Sequence, residues 1–309
     1  MPTRSGKLLT IIASCFFLLT SAASLYARQQ PPEVQVSVEK LADNLYLIRD
    51  SGGMGNTTVL TGEEGVFMID TKVRDSVDKL LAKIAELSPA PIRFALDTHW
   101  HFDHVGGNEK VARTGAVIIA HENVRKQMAR PHDMKILNVK VPASPVAARP
   151  MLTYDRQMVL HLNGEQIKVF HPGPGHTDGD SVVYFKKANV IHMGDLYFEG
   201  LYPYIGIYSG GSINSMIAVI GRILPMIDAK TIVVPGHGPA SDKARLAQYV
   251  AMLTAVRDSV SRLIQRGDTI DQAVTEKPTR AFDEKWGKGF LSPDQFTRLV
   301  YMDLSPALP

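Results

Sequence analysis

Six consecutive residues constrain this chain more than any other stretch: His99-Trp100-His101-Phe102-Asp103-His104, close behind the apolar run Ile92 to Leu96. The run predicts a buried strand, and alternate side chains of an extended segment project to one side. His99, His101 and Asp103 can therefore converge, with His104 at the turn into the next helix. Two imidazoles and a carboxylate at that spacing suit a hard-to-borderline divalent cation. Gly106-Gly107 directly behind lets the backbone turn tightly under such a site. A single cysteine among 309 residues excludes an internal disulfide, a thiolate zinc cluster and an iron–sulfur site, and leaves ten histidines as the candidate ligands.

The N-terminus changes even that one cysteine. Arg4 and Lys7 precede the apolar run Leu8 to Leu19, with Ser21, Ala22, Ala23 and Ser24 behind it. This is the order of a secretory signal peptide, and the twelve-residue run falls short of the about 20 that a membrane span needs. The expected organisation is a signal peptide over 1–27 with cleavage near 23–27, a catalytic domain over 33–240, and a C-terminal helical extension over 241–309 packed on the same domain. Ile12-Ala13-Ser14-Cys15 matches a lipidation motif loosely, but apolar residues continue past Cys15. Cleavage removes Cys15 and lowers the net charge from +3 to +1. The mature protein is expected to be periplasmic or secreted, thiol-free and without a stable membrane anchor. A charge so near neutrality does not suit a nucleic-acid partner.

Downstream, alternating segments predict strands at Val34–Val38, Leu45–Ile48, Thr57–Leu60 and Val66–Ile69, with a glycine-rich loop at Ser51 to Gly55. Arg74 to Leu87 has helical spacing and stops before Pro89. Strand Ala116–Ala120 sits between two helices, and residues 141–150, with three prolines, read as a connection. The second half repeats this grammar. Strands are expected at Met158–Leu162, Gln166–Phe170, Ser181–Phe185, Asn189–His192 and Thr231–Val234, with a Ser212-capped helix to Leu224. A long helix runs from Ser241 to Arg266 and ends at Gly267. Ser292-Pro293-Asp294-Gln295 carries the capping-box order that starts another. Two similar layers, each a sheet backed by helices, follow from this order.

The histidine motif, with the glycines behind it, resembles the signature of the metallo-β-lactamase superfamily. Later motifs fall in the same order: Asp70 in Phe67-Met68-Ile69-Asp70-Thr71, His176 in Pro172-Gly173-Pro174-Gly175-His176-Thr177, Asp195 in His192-Met193-Gly194-Asp195, and His237 in Pro235-Gly236-His237-Gly238. The resemblance implies an α/β fold, a four-layer αβ/βα sandwich, and two zinc ions per chain; iron or manganese is compatible with the same donors. It implies His99, His101 and His176 at the first ion, Asp103, His104 and His237 at the second, and Asp195 between them. Asp70 would support the metal loop without binding metal, and His192, on the strand leading to Asp195, is the candidate to stand behind the ligands. The implied chemistry is hydrolysis, in which a hydroxide bridging the two zinc ions opens an amide or ester carbonyl and Asp103 orients it.

The substrate is expected to be a small molecule. The stretch His171 to Thr177 followed by Asp180 to Phe185 is similar to zinc β-lactamases, whereas His104 paired with Asp195 resembles lactonases and glyoxalase II-like thioesterases. Residues 196–206 contain no lysine to bind a drug carboxylate and offer Tyr197, Tyr202 and Tyr204 instead. Met54, in the glycine-rich loop, is a further candidate for substrate contact. A β-lactamase-like hydrolase is the primary expectation, a lactonase or thioesterase the second, and a periplasmic metal-binding accessory protein without hydrolytic activity the third. Ser37-Val38-Glu39-Lys40 matches the Ser-x-x-Lys of serine β-lactamases, but it lies in a strand-like alternation and its partner motifs are absent.

Overall fold

The computed structural model describes residues 34–305, and the expected signal peptide at 1–27 lies outside them. The first half runs β1 (Val36–Ala42), β2 (Leu45–Asp50), β3 (Thr57–Leu60), β4 (Val66–Ile69), α1 (Val77–Leu87) and β5 (Ile92–Asp97). It continues through α2 (Phe102–Val105), α3 (Asn108–Arg113), β6 (Val117–His121), α4 (Glu122–Met128), β7 (His132–Met134), β8 (Val139–Val141) and β9 (Leu152–Tyr154). The second half runs β10 (Gln157–Leu162), β11 (Glu165–Phe170), β12 (Val182–Phe185), β13 (Val190–His192), α5 (Ile213–Ile223) and β14 (Ile232–Val234). Four helices close it: α6 (Lys243–Arg266), α7 (Ile270–Thr275), α8 (Asp283–Trp286) and α9 (Pro293–Leu304).

Seven strands form one sheet in the order β1-β2-β3-β4-β5-β6-β9, and five form a second in the order β10-β11-β12-β13-β14. Side-chain alternation explains how the sheets stack. Along β4, Phe67 and Ile69 enter the core between the sheets, while Val66 and Met68 face Val77, Leu80 and Ile84 of α1. Along β12, Val183 and Phe185 point to the same inter-sheet core, and Val182 and Tyr184 point to the helices behind. Phe67 and Phe185 meet edge to face across the middle, 6.2 Å between ring centroids. Each sheet is thus buried on both faces, which gives four layers, helix–sheet–sheet–helix. No helix among the described residues is long and apolar enough to cross a membrane.

The site depends on where the strands end. β4 and β5 are parallel, as are β13 and β14, so the residues following all four strands emerge at carboxyl ends, where loops of α/β sheets gather functional groups. The expected helix over Arg74–Leu87 starts only at Val77, because the segment before it is tied to the histidine motif: Thr71 N–H donates to His104 O and Gly107 N–H donates to Lys72 O, at 2.7 and 3.1 Å. The helix after the motif is split at Gly106-Gly107 for the same reason. A Cβ on Gly107 would run into Thr71 O.

One further departure has a local cause. The long helix is capped by Asp242, whose side chain accepts from Arg245 N–H at 2.8 Å, because Ser241 is instead paired with Val233 through both backbone groups. Residues 132–141 form the β7–β8 hairpin, just ahead of the connection expected over 141–150. The C-terminal helices share the second sheet's core: Leu246, Tyr249, Leu253 and Val256 of α6 and Phe296, Leu299 and Val300 of α9 belong to one cluster with Ile191 and Met193. Phe296 stacks on Tyr202 with centroids 4.6 Å apart. Phe296→Ala should therefore destabilise the whole unit by about 3–5 kcal/mol, visible as a shifted single denaturation transition. An unchanged midpoint, or a separate early transition, would show that the helices fold independently.

Candidate metal centre

Seven residues from four loops meet at the carboxyl ends of the strands. Two groups lie within ligand reach: His99, His101, His176 and Asp195, and beside them Asp103, His104 and His237. Within the first, His176 Nε2 is 2.8 Å from His101 Nδ1, and Asp195 Oδ2 is 3.5 Å from His99 Nε2 and 3.4 Å from His176 Nε2. Within the second, His237 Nε2 is 3.3 Å from His104 Nε2 and 3.2 Å from Asp103 Oδ2. Asp195 faces both groups, its Oδ1 3.1 Å from His104 Nε2 and its Oδ2 3.5 Å from His237 Nε2. The loop carrying His237 comes this close because of Gly236, where a Cβ would run into Asp195 Oδ1.

The outer partners of the imidazoles dictate what the inner nitrogens present. His176 Nδ1 donates to Tyr204 O and His237 Nδ1 donates to Gly53 O, both at 2.8 Å. His104 Nδ1 donates to Asp70 Oδ2 at 2.7 Å. Thr98 Oγ1 gives its hydrogen to Asp70 Oδ2, so the 3.0 Å contact between Thr98 Oγ1 and His99 Nδ1 has the imidazole as donor. In the neutral ring a donating Nδ1 leaves Nε2 as a bare lone pair. With all four rings neutral, as ligation requires, such lone pairs at His99, His104, His176 and His237 point at one another and at two carboxylates. His99 Nε2 is buried without any hydrogen-bond partner. Buried acceptors gathered without donors are strongly unfavourable, and divalent cations are the groups that fit.

The electrostatics agree. Burial lowers His99 and His101 well below the ordinary histidine value, and lowers His176 to about 4, so these rings are neutral as ligation requires. His104 and His237 behave oppositely. Burial opposes their charged form, but Asp195 with Asp70 and Asp103 raises His104 well above its usual range, and Asp195 with Asp103 raises His237 to about 10. Protons occupy there the role a cation would take. Asp103 is pushed up by burial and brought down by His104 and His237 to about 2, so it stays ionised.

Behind the ligand shell stands Asp70, which accepts from Thr98 N–H at 2.7 Å, from Thr98 Oγ1 at 2.8 Å and from His104 Nδ1, with none of the cluster's inward nitrogens on it. His192 is fully buried behind Asp70, bonded to Thr58 Oγ1 at 2.8 Å. Asp70 and Lys72 both have positive φ, 63° and 61°, an uncommon conformation for residues with side chains. Lys72 went unnoticed in the sequence: its ammonium is wholly buried, 3.3 Å from Asp50 Oδ2, and donates to Gly55 O at 2.8 Å. With Asn56, which donates to Pro235 O and Gly238 O, it fastens the 51–56 loop against the His237 loop. Asp180 does the same for His176, accepting from the His176 and Thr177 amides and from the Thr177 hydroxyl.

The three tyrosines expected to touch substrate lie in different surroundings. The Tyr197 hydroxyl is engaged with Glu199 and Ser241, and the Tyr202 hydroxyl with Asp283 and Thr279 O. Both rings are buried in the packing of the C-terminal helices, Tyr197 against Tyr249 and Tyr202 against Phe296. Tyr204 does adjoin it, its ring 5.5 Å from His101 and its carbonyl holding His176. Met54 is half-buried in the loop whose Gly53 carbonyl holds His237. Among the other histidines, His121 stacks on His171, His132 stacks on Trp100, and His161 is exposed.

The sequence profile of the metallo-beta-lactamase superfamily matches residues 50–247, which span every residue of the cluster. The chain belongs to that superfamily. It is 24% identical over 225 residues to a metallo-beta-lactamase type 2 of Bacillus cereus, covering 71% of this chain and 82% of the relative. Its fold is that of a metallo-beta-lactamase from Pontibacter korlensis, with TM-score 0.59, 24% identity, and 71% and 99% of the two chains covered. It is also that of an inverting sec-alkylsulfatase from Pseudomonas sp., with TM-score 0.65, 15% identity, and 87% of this chain and 50% of the other covered. Superfamily members are mostly hydrolytic metalloenzymes, and the cluster is a possible dinuclear site of that kind.

Metal loading of the purified protein at neutral pH should release protons, because a cation displaces those that Asp195, Asp70 and Asp103 favour on His104 and His237. An indicator dye in weak buffer measures this. Uptake of two cations without proton release would contradict the charge arrangement described.

Proposed function

We propose that this protein is an exported, dinuclear zinc hydrolase that opens an amide or ester carbonyl in a small-molecule substrate, in the manner of a β-lactamase. The observation that carries the reading is Asp195, one carboxylate within 3.5 Å of imidazole nitrogens from both groups, the arrangement expected of a residue shared by two cations. His99, His101 and His176 would hold one zinc, Asp103, His104 and His237 the other, with Asp195 between. When bound, such a pair supplies Lewis acidity at the carbonyl oxygen and lowers the pKa of a coordinated water from 15.7 towards about 7.

The chain's own residues do the rest. Asp103 is the most open carboxylate of the cluster, 15% exposed against 5% for Asp195, and it is ionised, so its Oδ2 accepts a hydrogen bond from the attacking water and aims it. Gly53 O, Tyr204 O, Thr98 and Asp70 hold the imidazoles in their tautomers, so the ligands need no rearrangement when substrate arrives. Residues 1–27, read as an export signal, would place the enzyme where extracytoplasmic lactams and lactones are met.

A lactonase or thioesterase activity is the second reading, favoured by the lack of a lysine in 196–206 and by the Tyr197 and Tyr202 hydroxyls being engaged with Ser241 and Asp283. The test is turnover by zinc-loaded protein of a chromogenic cephalosporin, a lactone and a thioester, with and without chelator. Cephalosporin hydrolysis abolished by chelator is the expected result. Lactone or thioester turnover alone would replace the lactamase reading, and no chelator-sensitive turnover of any of the three would leave a metal-binding accessory role. His237→Ala should lose about 100-fold or more in kcat/KM, since even outer partners of metal ligands cost up to that; a fully active variant would contradict the two-metal site.

A further inference from the structure

Phe290 is a large apolar side chain left 47% exposed, and it stands beside the cluster. Its ring centroid is 6.0 Å from that of His237 and 6.0 Å from that of Phe198. Phe198 is fully buried and stacks flat on His237, 5.1 Å between centroids and 5° between planes. Phe198 is thus the packed support of His237, while Phe290 adds an aromatic surface facing outward at the same imidazole.

The position of Phe290 is fixed from both sides. Four residues earlier, Trp286 is buried and its carbonyl accepts from Tyr202 N–H at 2.9 Å. Gly289 lies flat on Leu201, where a Cβ would come within 2.7 Å of Leu201 Cδ2. Leu291 is fully buried, and Ser292 caps α9 by accepting from Gln295 N–H at 3.2 Å. A half-exposed ring held this firmly contributes little to the core, and its wet face carries an unrelieved hydration cost. A group covering that face lies next to the His237 ring, whose Nε2 is 3.2 Å from Asp103, the most open carboxylate of the cluster.

We propose that Phe290 is a specificity-determining residue of the substrate site, selecting molecules that carry an aromatic or alkyl group next to the reacting carbonyl. The inference rests on the hydrolase reading for the word substrate, but the contact it names is a binding contact. It lies in a segment beyond the 50–247 that the superfamily profile spans.

The test is calorimetric binding of phenylacetate and of acetate to zinc-loaded protein. Both offer the same carboxylate to the cluster and differ by the phenyl group. The wild type should favour phenylacetate by about tenfold, the worth of one aromatic pair. Phe290→Ala should bring the two affinities together while acetate binding and zinc content stay unchanged, and Phe290→Leu should keep part of the preference. A preference that survives Phe290→Ala, or no preference in the wild type, would overturn the proposal. Failure of all three hydrolysis assays would count against the hydrolase reading and leave these affinities as they are.

Discussion

Four imidazole lone pairs and two carboxylates cannot be buried facing one another unless positive charge lies among them. That condition governs the carboxyl-end face of this protein. Asp195 is its centre, touching His99, His104, His176 and His237 at 3.1–3.5 Å. The condition is imposed from outside the cluster by Asp70, Thr98, Tyr204 O and Gly53 O, which take the outer imidazole hydrogens and so turn the lone pairs inward. Remove one of these partners and a ring is free to flip its tautomer, which relaxes the demand for a cation at that position.

The two-sheet architecture supplies what such a cluster needs. Asp70, Thr98 and the His99–His104 motif follow β4 and β5 of one sheet, while Asp195 and His237 follow β13 and β14 of the other. The inter-sheet core, with Phe67 on Phe185 at its middle, sets the distance between these strand ends. The loops then close over it through specific ties: Lys72 to Asp50 and Gly55, Asn56 to Pro235 and Gly238, Asp180 to the His176 loop. Positive φ at Asp70 and Lys72 is tolerated because both residues are fixed by several bonds at once.

Much of this was legible in the sequence because it is carried by side-chain identity and period. β3 and β4 lie where the alternation put them, and α5 and α9 begin at the capping serines Ser212 and Ser292. The His99–His104 motif stood out by its residue types and spacing, and His176, Asp195 and His237 were added by the resemblance to the superfamily; the fold brings all seven together. Backbone partners were not legible: Gly53 O and Tyr204 O have no signature in the residue that bears them. Neither were the partners of Tyr197 and Tyr202, which depend on where the C-terminal helices dock, nor the burial of Lys72, since a lysine in a loop ordinarily faces water. Phe290 looked like any apolar residue before a helix, and only the fold sets it beside His237.

The most direct measurement is anomalous diffraction at the zinc edge from crystals of the zinc-loaded protein. The account predicts two peaks per chain, one among His99, His101 and His176 and one among Asp103, His104 and His237, with Asp195 reaching both. A single peak, or zinc held elsewhere with the cluster empty, would contradict it.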